Sequence, residues 1–299
     1  MAVALGVPSH AGPEVVSARG DATTTTSTSL ARQATKTKAV PQTTTLPAAT
    51  TVPTTVAATG AVGVLSLPSV VKYLKGREGN ITAAVYDVST QTMSVWRTGV
   101  EEQTASIEKV DILASLLQDY QEQGNPISSA DQAIATGMIE QSNNNDANAL
   151  WAEVGQQDGV ALFNRQIAMT ATTLGTQGLW GVTTTTAADQ IKLLQTVALP
   201  NAILAPASQT YELGLMEHVS SSQDWGVSAG VLPGATIALK NGWLPLDEDD
   251  WQVNSIGWIN GDGRNYLIAV LTDQEDTEYD GIQTIQGLSS LVWANEGVS

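Results

Sequence analysis

The pattern of the chain predicts an α+β fold: an antiparallel five-stranded sheet flanked by N- and C-terminal helices, with an all-α subdomain inserted at about 112–234. Three observations carry this. Two strand-like runs joined by a polar turn lie early in the folded part, three more lie near its end, and the stretch between them has helical spacing almost throughout.

The elements follow in order. From Val64 to Lys75, the spacing of Leu67, Val70, Val71 and Leu74 predicts a helix. Ile81 to Val88 and Met93 to Arg97 read as strands, joined by Ser89-Thr90-Gln91-Thr92. Ile107, Val110, Leu113, Ala114 and Leu117 then form the apolar face of a second helix, with Thr104 as its N-cap and Asn125-Pro126 as its stop. Ala130 to Gln141, Asp146 to Val154, Val160 to Met169, Ala187 to Val197 and Tyr211 to Val219 carry helical patterns. Gly175 to Gly181 and Thr183 to Thr186 read as loops. Strands return over Ala235 to Lys240, Gln252 to Ile259 and Tyr266 to Thr272, the last two linked by the hairpin signal Asn260-Gly261-Asp262-Gly263. An amphipathic helix from Ile282 to Ala294 closes the chain.

Residues 1–60 differ from the rest. Met1 to Ala11 reads as a signal-peptide remnant, and Ala22 to Thr59 is rich in threonine, alanine and proline with few large apolar side chains. Such a segment cannot bury enough surface to offset its ordering entropy, which predicts a disordered linker suited to O-glycosylation and a secreted, extracellular protein. Residues 61–299 are long enough for one domain with a sizeable core.

The net charge is −17, and the folded part is near −19 because the tail is slightly basic. Nucleic acid is excluded as a partner, since phosphate binding needs clustered Lys and Arg. Cysteine is absent, which removes disulfides, thiolate metal sites and a cysteine nucleophile. No stretch approaches the ~20 apolar residues of a membrane span.

Three short strings carry the chemistry: Ser106-Ile107-Glu108-Lys109, Ser142-Asn143-Asn144 and Lys240-Asn241-Gly242. A lysine three residues after a serine shares its helix face, so the Lys109 amine is in reach of the Ser106 hydroxyl. A lysine acts as a base only if its pKa falls from ~10.4 toward neutrality, and burial and a second cation, Lys240, both act in that direction. Ser142 can relay a proton, and Asn144 can hold a substrate carbonyl. Each string also has a plain structural reading. Ser106 can help cap a helix, Ser142 to Asp146 can form an N-cap and turn, and Asn241-Gly242 can be a hairpin turn.

With its three strings in this order, the chain from about Val64 to Trp293 resembles the class A β-lactamase and penicillin-recognising serine hydrolases, in particular divergent actinobacterial secreted members. The resemblance rests on SIEK at Ser106 to Lys109, Met138 to Leu150, Thr183 to Gln190, and Ala238 to Trp243. It implies a β-lactamase/transpeptidase-like fold, with Ser106 as nucleophile, Lys109 as base, Ser142 as proton shuttle and Lys240 as electrostatic anchor. It further implies substrate contacts from Asn144, Asn241, Gly242 and Trp243, with the backbone N–H groups of Ser106 and Trp243 as oxyanion hole. The implied ligand is a small molecule or peptide, a β-lactam or cell-wall peptide among them, with no cofactor and no metal.

Departures from that pattern shape the expectation. Asn143 stands where many members carry aspartate, and Asn241 replaces a hydroxyl residue that helps bind a substrate carboxylate. The Lys109–Ser142 stretch is shorter than usual. Between Asp158 and Asp189 there is no carboxylate to serve as deacylating glutamate. Loss of such a base costs about 10²–10⁴-fold, which predicts weak or no β-lactam turnover. Two readings follow: an acyl-enzyme-forming serine hydrolase, or a catalytically inactive domain of the same fold that binds a cell-wall peptide or protein partner.

Other motifs carry less. Gly226-Val227-Ser228-Ala229-Gly230 has the form of a nucleophile elbow, but no histidine follows His218, so it reads as a glycine-rich loop. Asp276, Glu278 and Asp280 mimic the start of a calcium loop, with Gly287 where the closing glutamate belongs. The tryptophans, Trp180 among them, read as packing, and Trp243 as packing or cleft lining.

Overall fold

A computed structural model describes residues 63–247 and 250–297. The signal-peptide and linker expectations fall on 1–60, outside the described residues. After a 3₁₀ turn at Val64–Ser66 come α1 (Pro68–Lys75), β1 (Asn80–Asp87), β2 (Thr92–Trp96) and the two-residue β3 (Glu102–Gln103). A second 3₁₀ turn, Ala105–Ile107, leads into α2 (Glu108–Glu122), then α3 (Ser129–Glu140), α4 (Asn144–Glu153) and α5 (Gln156–Gln166). The 3₁₀ turn Trp180–Val182 precedes β4 (Thr184–Thr185), α6 (Ala187–Ala198) and α7 (Pro206–Glu217). The chain ends with β5 (Thr236–Asp247), β6 (Asp250–Gly261), β7 (Arg264–Glu275) and α8 (Glu278–Asn295).

The main sheet has the order β2-β1-β7-β6-β5, and every pairing is antiparallel. The expected α+β architecture, five antiparallel strands flanked by helices, is the one observed. Pro68 opens α1 where its missing N–H costs nothing. The β6–β7 turn falls on Asp262 and Gly263, with φ of 51° and 76°, the left-handed pair that a tight hairpin of this twist requires.

Alternation along the strands builds two cores. Ala84, Ala238, Ile256, Leu267, Ala269 and Leu271 face the helical layer. Ala83, Val85, Leu239, Val253, Ile268 and Val270 pack with Val70 and Leu74 of α1 and Ile285, Leu288 and Val292 of α8. Both faces are covered, so β1 and β7 are buried almost throughout instead of in alternation.

Four local expectations are revised. Thr104 makes no cap hydrogen bond, and its backbone N–H donates to Thr183 O at 2.7 Å, because the chain approaches α2 through a strand pairing and not a free turn. Helix α2 shows one apolar face in sequence, yet Glu108 to Gln118 are all buried, since it runs through the middle of the helical layer. Thr184–Thr185 is a strand paired with Glu102–Gln103, too short to give a sequence signal. Asn241-Gly242 lies within β5, paired with Ser255 and Asn254, and so is not a hairpin turn.

Candidate active site

The site assembles where the start of α2, the α3–α4 junction and the edge strand β5 meet. Ser106 sits in the 3₁₀ turn before α2, half-buried, and Lys109 follows one helical turn later with no exposed surface. Ala105, immediately before the serine, holds φ at 47°, a left-handed conformation that costs a non-glycine residue about 1–3 kcal/mol. Ser142 adopts the same region, φ 55°, where α3 ends. Asn143 then caps α4, its side-chain oxygen accepting from the N–H groups of Asn145 and Asp146 at 2.8 and 3.2 Å. The capping reading of this segment therefore holds alongside its place in the site.

Four oxygens surround Lys109 Nζ: Ser106 Oγ at 3.0 Å, Ser142 O at 2.6 Å, Ser142 Oγ at 3.1 Å and Asn144 Oδ1 at 2.8 Å. Lys240, also fully buried, donates to Ser142 Oγ and to Asn241 O, both at 2.9 Å. Ser142 Oγ thus bridges two amines brought from positions 33 and 98 residues away. Burial pushes the Lys109 amine well below the ordinary lysine range; the Lys240 charge pushes it further and Asp146 opposes. Burial alone brings Lys240 down to about 7.

Strand β5 completes the geometry. A Cβ on Gly242 would sit 2.6 Å from Ser106 N, 2.9 Å from Ile107 N and 2.9 Å from Thr104 O, so only glycine allows the strand to lie against the serine turn. Lys240 and Gly242 share the face of Ala238, toward the helical layer. Asn241 and Trp243 therefore point the other way. Asn241 is fully buried and its amide donates to Gln223 O at 2.7 Å and Trp225 O at 3.0 Å; Trp243 packs near Trp225, ring centroids 5.8 Å apart. The side chains of Asn241 and Trp243 thus lie on the opposite face of β5 from Lys240, packed against the 223–225 loop, whereas Ser106, Lys109, Ser142, Asn144, Lys240 and Gly242 come together.

Sequence reasoning missed two groups. The first is Trp180, whose ring centroid lies 5.0 Å from Lys109 Nζ and whose indole N–H donates to Asn148 Oδ1 at 2.8 Å. The second is a set of buried carboxyls, Glu108 and Asp111 on α2 and Glu212 on α7, each pushed up mainly by burial, with Asp111 at about 7. Glu108 stands inside the first string, and three acids among apolar neighbours was the available signal. Elsewhere, His218 Nδ1 lies 2.6 Å from Gly214 O at the end of α7. Among the described residues no group of His, Cys, Asp and Glu is arranged to hold a metal, and no helix is long and apolar enough to cross a membrane.

Comparison with the curated proteins finds no match. Among solved structures, the TLA-1 extended-spectrum β-lactamase superposes with a TM-score of 0.68 at 18% identity, covering 76% of this chain and 96% of that one. A class A β-lactamase representative from Bacteroides cellulosilyticus gives 0.66 at 16% identity, with 75% and 94% covered. A structure named PBP-A gives 0.65 at 18% identity, with 75% and 92% covered. At these identities the likeness establishes the fold. A family description reading "Beta-lactamase enzyme family" matches residues 129–295, from the start of α3 to the end of α8. With more than half of its length matched and the fold in agreement, the chain belongs to the beta-lactamase enzyme family.

Proposed function

We propose that the protein is a secreted serine hydrolase that forms an acyl-enzyme on Ser106 with a small amide, peptide or lactam, and turns β-lactams over weakly or not at all. The observation that carries this is the buried Lys109 amine 3.0 Å from Ser106 Oγ with no carboxylate paired to it. Among the described residues the ion pairs are Lys192–Asp189 and Arg264–Asp262. A neutral amine has two N–H bonds, and two pure acceptors, Ser142 O and Asn144 Oδ1, are in place to take them. The lone pair is then left for a hydroxyl.

The reaction follows from these positions. Ser106 Oγ bonds to the substrate carbonyl carbon while its proton passes to Lys109 Nζ and the carbonyl electrons move to oxygen. The Ser106 N–H at the start of α2 supports the developing oxyanion. So does the Trp243 N–H. Asn241 O accepts from Lys240 on the unpaired edge of β5, and residues two apart present their backbone to the same edge. Collapse breaks the C–N bond, and Ser142 Oγ, held between both amines, passes the proton from Lys109 to the leaving nitrogen. Asn144, its oxygen fixed by Lys109, keeps its NH₂ for a substrate carbonyl. The segment between Asp158 and Asp189 supplies no carboxylate to activate water, so the acyl-enzyme outlives its formation.

Incubation with a fluorescent penicillin and with neutral activated esters, followed by intact mass and peptide mapping, tests this. A single adduct on Ser106, lost in Ser106→Ala, is expected. No adduct with any acylating probe would refute it. The binding-domain reading is favoured by the Asn241 amide, which is tied to two loop carbonyls at a position where the resemblance calls for a hydroxyl. It predicts cell-wall peptide binding that survives Ser106→Ala.

A further inference from the structure

Lys109 changes charge during acylation at a position with no exposed surface. Once it takes the Ser106 proton, an ammonium stands in a dry site beside a second lysine amine, the Lys240 Nζ that shares Ser142 Oγ with it. Oxygen dipoles line one side. The other large group against it is Trp180, 8% exposed, its ring centroid 5.0 Å from Nζ. The ring is not free to turn away. Its N–H is held by Asn148 of α4 at 2.8 Å, and the 3₁₀ turn that carries it lies by the Ser106 turn, with an added Cβ at Gly181 only 3.9 Å from Ala105 Cα.

We propose that Trp180 is a positioning residue for the Ser106–Lys109 pair, its indole face stabilising the ammonium that Lys109 becomes as Ser106 attacks while its bulk keeps water off that amine. This rests on the acyl-enzyme reading above. The ring quadrupole attracts a cation and is nearly indifferent to a neutral amine, so the interaction strengthens as the transition state is approached. That is the form of binding that raises a rate.

The two roles of the indole move the pH profile in opposite directions, which makes them separable. The charged and titratable groups acting on Lys109 are Lys240 and Asp146, and both are left intact. The test is the acylation rate of the full chain by a fluorescent penicillin from pH 5 to 9, for wild type, Trp180→Phe, Trp180→Leu and Asn148→Ala, each checked for folding by thermal melting. Loss of the π face in Trp180→Leu is expected to slow the plateau rate roughly 3- to 30-fold and to move the acid limb to lower pH, because the ammonium is less stabilised. Trp180→Phe, which keeps a π face, should stay within about 3-fold, and Asn148→Ala, at an exposed position, should fall between. A Trp180→Leu limb that moves to higher pH marks the indole as a cover alone and overturns the proposal, as does an unchanged rate. If Trp180→Leu does not fold, Trp180→Met supplies the same comparison. Absence of any wild-type adduct would overturn the acyl-enzyme reading itself, a result distinct from failure of the Trp180 variants.

Discussion

Gly242→Ala is the most direct probe of the geometry, because the new methyl meets backbone on three sides. Its Cβ would lie 2.6 Å from Ser106 N, 2.9 Å from Ile107 N and 2.9 Å from Thr104 O. Ordinary contact begins near 3.4 Å, so β5 and the serine turn must part by about 0.8 Å. No flexible side chain can absorb the shift. Misplacement on the scale of 1 Å costs about 100-fold in rate where reacting groups are held in register. Overpacking of this kind costs about 1–3 kcal/mol, or roughly 2–12 °C in melting temperature for a domain of this size. The assay is the second-order rate of Ser106 acylation by a fluorescent penicillin, normalised to folded protein, beside a thermal melt. Gly263→Ala is the control: its φ of 76° strains an alanine at the far hairpin with no neighbour to displace, so it should lower the melting temperature and leave the acylation rate alone. Acylation by Gly242→Ala within about 3-fold of wild type would show that the approach of β5 to Ser106 does not matter, and the site as described would fail.

Three further outcomes are expected. Lys240→Met removes the neighbouring charge that lowers Lys109, so the acid limb of the acylation profile should move to higher pH and the plateau should fall, by pH-rate measurement. Asp111 is raised by burial from 3.8 to about 7, so its protonated form is the one the fold prefers; the stability it contributes is present below its unfolded pKa and lost as pH rises through about 7. Asp111→Asn should therefore gain more in melting temperature over wild type at pH 8 than at pH 5. Asn241→Ala leaves Gln223 O and Trp225 O without their donor, costing about 1–3 kcal/mol in denaturant unfolding, while acylation by small neutral esters stays within a few-fold of wild type.

The order and kind of the long elements are legible in the amino-acid pattern, because each buries a face large enough to impose its period. The five main strands, the helical insertion and the closing helix follow in the order that apolar spacing placed them, although β5 continues past its expected end at Lys240 to Asp247, and Asp262-Gly263 turns where its left-handed preference requires. The three strings were legible too, since a serine and lysine one helical turn apart meet whatever the rest of the chain does. What lay beyond reach was decided across the fold. The direction in which Asn241 and Trp243 point depends on which face of β5 the helical layer covers, and a strand's alternation does not announce its phase. The pairing of Thr184–Thr185 with Glu102–Gln103 is two residues long and leaves no pattern. The depressed basicity of Lys109 and Lys240 comes from burial by segments far apart in sequence, and Trp180 reaches Lys109 across 71 residues. Periodicity records which side of an element is buried; only the packed structure says against what.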